Sequence, residues 1–393
     1  MSTDLDGSGS LEYNTTMQYL AILGRQPEFG LAELEATLGS DAVQPFGNQA
    51  AILTQQPNLA YLGGSLKTGE IIYQGPVADL ETIELDLSKL PQSEGKTPFA
   101  LSYYGIQATE RFVLASGLNF KKRLKAAGFS SLRVISPGTG SAVTAAGLHH
   151  NRVLETGFEL LIVVSQQTMI VARTLAVQDI DWYSQRDYER PARDAKVGML
   201  PPKLAQILVN LSGGKTIYDP FCGTGVVLQE ALLMGKPAQG SDIAPALVEA
   251  SEVNLEWLAT VAPSPLPAWS VTEADAQTVV LPPGVAIASE GYLGPNLTEL
   301  PDDATLASIQ AELETLYRNS LLNFVAQFEP GQQLAICVPA WKLKKGFSSL
   351  KVIDQISDLG YTKVQFVTVG DRALLYARPN QTVGRQILIL RKT

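Results

Sequence analysis

Thr216-Ile217-Tyr218-Asp219-Pro220-Phe221-Cys222-Gly223-Thr224-Gly225 opens the stretch that decides the fold, and it runs on through VVLQEALLMGKPAQG to Ser241-Asp242. Thr216–Tyr218 reads as an apolar strand that ends at Asp219. Val226–Met234 reads as a helix, and the residues up to Asp242 as a second short strand. The product is a strand–loop–helix–strand unit with an acid at the tip of each strand. Ligands bind where such loops leave the carboxyl ends of parallel strands. Gly223 and Gly225 let the backbone approach a ligand without a Cβ in the way. Asp242 is placed to accept two hydrogen bonds from a ribose diol.

The loop also excludes ligands. A dinucleotide fingerprint needs a third small residue where Leu228 stands, and no G-x-x-x-x-G-K-[ST] run is present. Asp219 ahead of the glycines would repel a phosphate and suits a cationic ligand instead.

These residues resemble the first motif of class I S-adenosylmethionine (SAM) methyltransferases, in the form found in amino-group methyltransferases acting on RNA or DNA. The resemblance covers Asp219-Pro220-Phe221-Cys222-Gly223-Thr224-Gly225, with Ser241-Asp242-Ile243 as the ribose-binding motif. It implies SAM as cofactor, with Asp219, Phe221, Gly223 and Gly225 facing its methionine part and Asp242 and Ile243 its ribose. Glu273-Ala274-Asp275-Ala276 resembles the third motif, which would set Asp275 and Ala276 at the adenine.

At 393 residues the chain is long enough for two or three domains, and 45% hydrophobic residues suffice for packed cores. Cys222 and Cys337 read as reduced packing residues of a cytosolic protein, and two histidines make a metal centre unexpected. No run of apolar residues is long enough for a membrane span, and no leader is evident. Residues 1–16 read as a disordered tail.

The net charge of −9 argues by itself against nucleic acid, but its distribution is uneven. Residues 1–100 carry four Lys and Arg against thirteen acids. Arg111, Lys121, Lys122, Arg123, Lys125 and Arg133 then follow with no acid between them. Lys342, Lys344, Lys345 and Lys351 form a second such run. Local basic patches on an acidic chain fit selective contact with a nucleic-acid backbone, with solvated helix faces as the alternative.

Upstream, residues 17–95 read as a small α+β unit: a strand over Gln18–Gly24, a helix over Phe29–Leu38 and a strand over Ala50–Leu53. Residues 96–180 read as a second α/β block, with strands at Phe99–Ile106, Ser131–Ile135, Glu159–Val164 and Thr168–Arg173 and helices at Phe120–Ala127 and Ala142–Asn151. This block resembles a THUMP domain, an RNA-binding module, on Leu124–Phe129, Arg133–Ile135, Ser141–Val143 and His149–Asn151. In that family the module follows a ferredoxin-like domain and grips tRNA. Residues 181–203, with Pro191, Pro201 and Pro202, read as an extended or turned linker. Its Arg190–Pro202 portion resembles the segment that lines the SAM pocket in THUMP-linked tRNA methyltransferases.

Residues 204–393 then read as a doubly wound, seven-stranded Rossmann-like methyltransferase domain, starting with a helix at Leu204–Leu211. Further strands are expected at Val285–Ala288, Gln333–Val338, Val364–Val369 and Gln386–Leu390. Further helices are expected at Pro245–Leu258, Asp303–Phe328 and Ser348–Leu359. An amine whose lone pair is delocalised into a base must be oriented and its hydrogens accepted. In amino-methyltransferases Asp/Asn-Pro-Pro-Tyr/Phe does this, its aromatic stacking on the flipped base. Here the corresponding stretch is Ser289-Glu290-Gly291-Tyr292, without the two prolines. Glu290 is the expected acceptor, Ser289 the alternative, and Tyr292 the stacking ring. Overall the chain resembles the THUMP-linked tRNA guanine-N2 methyltransferases. A DNA amino-methyltransferase and a SAM- and RNA-binding protein with a lapsed site are the rivals. Target position, number of methyl transfers and oligomeric state are not encoded in any motif.

Overall fold

The computed structural model describes residues 17–193, 200–370, 374–378 and 381–393. Residues 1–16, the expected tail, lie outside the described residues, as do 194–199 of the expected linker. The described strands form two sheets.

The first sheet holds β1 (Tyr19–Leu23), β2 (Val43–Phe46), β3 (Ala50–Leu53), β4 (Ser65–Pro76), β5 (Thr97–Tyr104), β6 (Leu132–Ile135), β7 (Phe158–Ser165) and β8 (Thr168–Val177), in the order β2-β3-β1-β4-β8-β7-β5-β6. Segments 17–95 and 96–180 therefore share one sheet. The seam is β4 against β8, antiparallel from Lys67 opposite Val177 to Pro76 opposite Thr168. The β-rich stretch Phe158–Val177 turns back on itself and buries most of its residues, which places it in the sheet's middle. Helix α1 (Pro27–Leu38) begins with a proline in its first turn and stops at Gly39, and α2 (Glu110–Ala126) is capped by the Thr109 hydroxyl accepting from Phe112 N. The short helices α3 (Ala145–His150) and α4 (Val153–Thr156) cross from β6 to β7.

The linker expected over 181–203 is in part helix: α5 spans Ile180–Tyr188. Asp179 caps it by accepting from Trp182 N at 2.9 Å, and Arg186 anchors it. The Arg186 guanidinium makes a two-pronged bond to Glu230, at 2.7 and 3.1 Å, and both side chains are buried. The prolines act only beyond Glu189. Pro202 sits in the first turn of α6 (Pro202–Ser212), where its missing N–H is not needed.

The second sheet comprises β9 (Ile217–Asp219), β10 (Ala238–Asp242), β11 (Trp269–Glu273), β12 (Ala286–Glu290), β13 (Gln333–Lys342), β14 (Phe347–Ser349), β15 (Tyr361–Lys363), β16 (Leu375–Tyr376) and β17 (Val383–Lys392). Its main path is β11-β10-β9-β12-β13-β17-β15, and β14 and β16 add to β13 and β17. Nine described strands thus replace the expected seven, because the seven-strand path carries two short additions. The first five strands of the path are parallel and β17 is antiparallel to its neighbours. Helices α7 (Val226–Leu233), α8 (Pro245–Val261) and α9 (Asp303–Gln327) make the crossovers.

In the part of the chain that builds the second sheet, two expected elements differ. Strand β15 ends at Lys363, and Val364–Val369 turns away because Val367 N and Thr368 N and Oγ1 donate to Glu35 of α1 at 2.7–2.9 Å. Ser348–Leu359 is not an α-helix. It supplies the end of β14 and a 3-10 segment, Lys351–Leu359, whose start is tied to the Glu314 carboxylate of α9.

One apolar core runs from α1 through α6 and α7 to β9 and β13, so the two sheets are joined by buried surface. Glu33, fully buried in α1, accepts from Gly63 N, Gly64 N and Asn210 Nδ2 of α6 at 2.8–2.9 Å. Burial pushes its carboxyl up to about 7, against the pull of those three bonds.

Candidate active site

The order of strands reverses between β9 and β12, which sends neighbouring loops in opposite directions and opens a crevice at their carboxyl ends. Asp219 ends β9 at the level of Gly240, two residues short of the tip of β10 at Asp242. Asp242 is level with Glu273 at the end of β11, and Glu290 with Cys337 of β13. Four acids therefore stand within about 7 Å of one level along the strands.

The glycine loop takes the form its sequence requires. Gly223 and Gly225 have φ of 53° and 81°, left-handed values that favour glycine. A Cβ on Gly225 would also lie 2.4 Å from Ser251 Oγ of α8. Cys222 N donates to Ser241 O at 2.9 Å, which ties the loop to β10. Asp242 is held by the loop itself: Gly223 N donates to Oδ2 and Ala244 N to Oδ1, both at 3.0 Å. Each oxygen keeps a second lone pair, so capacity for a diol remains. Ile243, next along, is 67% exposed. Asp275 accepts from Gln277 N at 2.9 Å, and the carbonyl of the buried Ala276 accepts from Asn323 of α9.

Asp219 is buried. Ser289 Oγ donates to its Oδ1 at 2.5 Å, and Phe221 N does so at 3.1 Å. Burial pushes the carboxyl up to about 7, the nearby Asp242 and Glu290 charges add to the rise, and the two hydrogen bonds oppose it. Ser289 is itself fully buried. Its place is beneath the crevice, orienting Asp219, which does not suit it as an acceptor for an incoming amine.

Glu290 has a partner that sequence reading missed. Arg385 of β17, 95 residues away, donates through Nε to Glu290 Oε1. Arg385 is buried while the Glu290 side chain remains 20% exposed. Burial raises the Glu290 carboxyl and the guanidinium opposes that rise. Tyr292 stands 53% exposed, its ring open to solvent. Its carbonyl accepts at 2.9 Å from Tyr317 Oη of α9, which also lies 3.3 Å from Cys337 O. The Tyr317 ring sits 6.3 Å from that of Phe221, linking the glycine loop to the Ser289–Tyr292 turn. Gly291 permits this: a Cβ there would fall 2.3 Å from Tyr317 Oη. Tyr317 reads in the sequence as one more apolar position of a long helix, and Arg385 as a cation just ahead of the expected Gln386–Leu390 strand. Neither carries a local signal.

The first basic run lies on the other sheet. Arg111, Lys122 and Lys125 are exposed on α2, Lys121 is half-buried, and Arg133 is exposed on β6, where it bonds to Asn151 Oδ1. Arg123 turns back to donate to Leu80 O and so serves the fold. Among the described residues no group of three or more His, Cys, Asp or Glu side chains could hold a metal ion, and no helix is long and apolar enough to cross a membrane.

Residues 190–275 match a family described as RMKL-like, methyltransferase domain. The tRNA (guanine(10)-N2)-dimethyltransferase of Methanothermobacter thermautotrophicus is 43% identical over 98 residues, 24% of this chain and 29% of that one. The enzyme of the same name from Methanocaldococcus jannaschii is 33% identical over 103 residues, 24% of this chain and 28% of the relative. The matched stretches thus span less than a third of these relatives. Among solved structures, TrmN from Thermus thermophilus aligns over 96% of this chain and all of its own, at a TM-score of 0.48 and 15% identity.

Proposed function

We propose that this chain is a SAM-dependent tRNA methyltransferase acting on the exocyclic N2 amine of a guanosine. The observation that carries the reading is the crevice at the β9/β12 switch point. It combines two left-handed glycines, the spare acceptor capacity of Asp242 and an exposed aromatic at the end of β12. The local similarity to tRNA guanine-N2 enzymes supports the substrate class. The chemistry of the site fits SAM: a buried carboxylate for a cationic ligand at Asp219, a diol acceptor at Asp242, and Asp275 with Ala276 for an adenine edge.

When bound, the cofactor would supply an electrophilic methyl group. Tyr292 would stack on the target guanine, an interaction worth about 1–3 kcal/mol. Glu290 would accept an amine hydrogen, with Arg385 holding its carboxylate in one orientation. Tyr317 would fix the backbone between them. Exposed cations of α2 and β6 would meet phosphates, with the first sheet as the part that reads tRNA shape. A cytosolic location goes with that substrate.

The Glu290–Arg385 pair also favours a second reading, a protein that binds SAM and RNA without turnover. One experiment separates these from a DNA amino-methyltransferase. Labelled SAM is incubated with unmodified tRNA or duplex DNA, and the products are digested to nucleosides. N2-methylguanosine from tRNA alone supports the proposal. Label in DNA, or binding without transfer, would replace it with the corresponding rival.

A further inference from the structure

We infer that the β13–β14 hairpin is a phosphate clamp over the active site, with Lys344 and Lys345 gripping the backbone of the RNA strand that carries the target base. This rests on the tRNA reading above. The placement follows from pairing. Strand β13 hydrogen-bonds β12 on one edge as far as Glu290 opposite Cys337, and β17 on the other edge as far as Trp341 opposite Val383. Strand β14 pairs with Ala340, Trp341 and Lys342. The β17 edge is already taken at Ala340 and Trp341, so β14 must occupy the β12 edge. It therefore continues the line of β12 past the point where that strand ends, directly above Glu290. With about 3.3 Å per residue, the five residues from Val338 to Lys342 carry the turn roughly 16 Å beyond the carboxyl edge.

The tip is built to hold its shape. Leu343 N donates to Gly346 O at 3.0 Å, and Gly346 has φ 75°. Gln310 of α9 donates to Ser348 Oγ at 3.2 Å, and Glu314 takes Val352 N, so α9 braces the base. Lys344 and Lys345 are exposed at the turn, and no acid lies between Lys342 and Lys351. On a chain of net charge −9 such a stretch attracts a polyanion, and its position past the end of β12 sets it beside a strand entering the crevice.

The test compares wild type, Lys344→Ala/Lys345→Ala, and a control of equal charge change, Lys215→Ala/Lys363→Ala. Lys215 and Lys363 are exposed, one before β9 at the amino edge and one on the outermost strand. Affinity for unmodified tRNA is measured across a salt series, SAM affinity reports folding, and methyl transfer is followed in parallel. The hairpin variant is expected to bind tRNA roughly tenfold more weakly at about 0.1 M salt, with the salt slope reduced by about 1.5 for two lost phosphate contacts. SAM affinity should stay at the wild-type value, and the control should match wild type in all three. Equal tRNA affinity and slope in the hairpin variant, or an equal loss in the control, would overturn the clamp while wild-type methylation left the tRNA reading standing. Wild-type protein that neither binds nor methylates tRNA would remove that reading and the clamp with it.

Discussion

Asp242 and Asp219 differ in what surrounds them, and that difference is measurable. Asp242 gives one lone pair of each oxygen to a backbone N–H and keeps the others for a ligand. A charged hydrogen bond of this kind contributes about 1.5–3 kcal/mol. Asp242→Ala should weaken SAM binding on the order of 10- to 100-fold by calorimetry; unchanged affinity in a folded variant would sink the cofactor assignment. Asp219 is held near neutrality, its carboxyl pushed up to about 7 by burial. A cationic ligand prefers the ionised form, so below about 7 binding must first strip a proton. Affinity for SAM should therefore rise with pH up to about 7 and level off above it, by at most tenfold per pH unit. Asp219→Asn should bind more weakly and lose that dependence, and a flat wild-type profile from pH 5.5 to 8 would show that Asp219 does not face the cofactor's charge. Both acids were legible because each ends a strand beside a glycine loop within 24 residues of the other. Arg385 was not, because its meeting with Glu290 depends on two long-range strand pairings, β12 with β13 and β13 with β17.

At the scale of elements, hydrophobic period and punctuation located most strands and helices, and failures came where a distant side chain took over the backbone. Val364–Val369 is apolar enough for a strand, yet Glu35 claims the N–H groups of Val367 and Thr368. Residues 180–188 are polar and precede three prolines, yet the Arg186–Glu230 pair makes them a docked helix. Removing one partner of a buried ion pair leaves the other charge stranded, at about 3–5 kcal/mol. Arg186→Met should lower the unfolding free energy measured in urea by that amount, and a loss under 1 kcal/mol would show that α5 is held by its apolar contacts. The turn after β12 offers a subtler case. Tyr317→Phe keeps the ring against Phe221 and deletes the bond to Tyr292 O. Stability should fall by about 0.5–1.5 kcal/mol. Single-turnover methyl transfer should fall severalfold with SAM and tRNA affinities intact, since a loosened turn misplaces the groups that meet the base. Equal transfer rates would leave Tyr317 a core residue only.

The whole molecule is two sheets joined through α1 and α6, a connection that no sequence spacing reveals because its members lie far apart in the chain. Glu33 sits at its centre, 177 residues from Asn210, and Glu35 fastens the far side to Thr368. The Glu33 carboxyl is raised from 4.5 to about 7 because burial outweighs the three hydrogen bonds that favour its charge. The folded protein therefore holds this proton more tightly than the unfolded chain does. Its contribution to stability is fully present below about pH 4.5, falls as pH rises, and is gone above about 7. Over that window the loss is on the order of 3 kcal/mol. Glu33→Gln keeps the shape and cannot titrate. The stability of wild type relative to Glu33→Gln should fall by that amount from pH 4.5 to 7.5 and stay constant above it, while Asp219, titrating in both proteins, cancels. Urea unfolding of the two proteins across this range makes the comparison. Parallel pH profiles would show that the three donors keep Glu33 ionised and that the junction between the sheets is insensitive to pH.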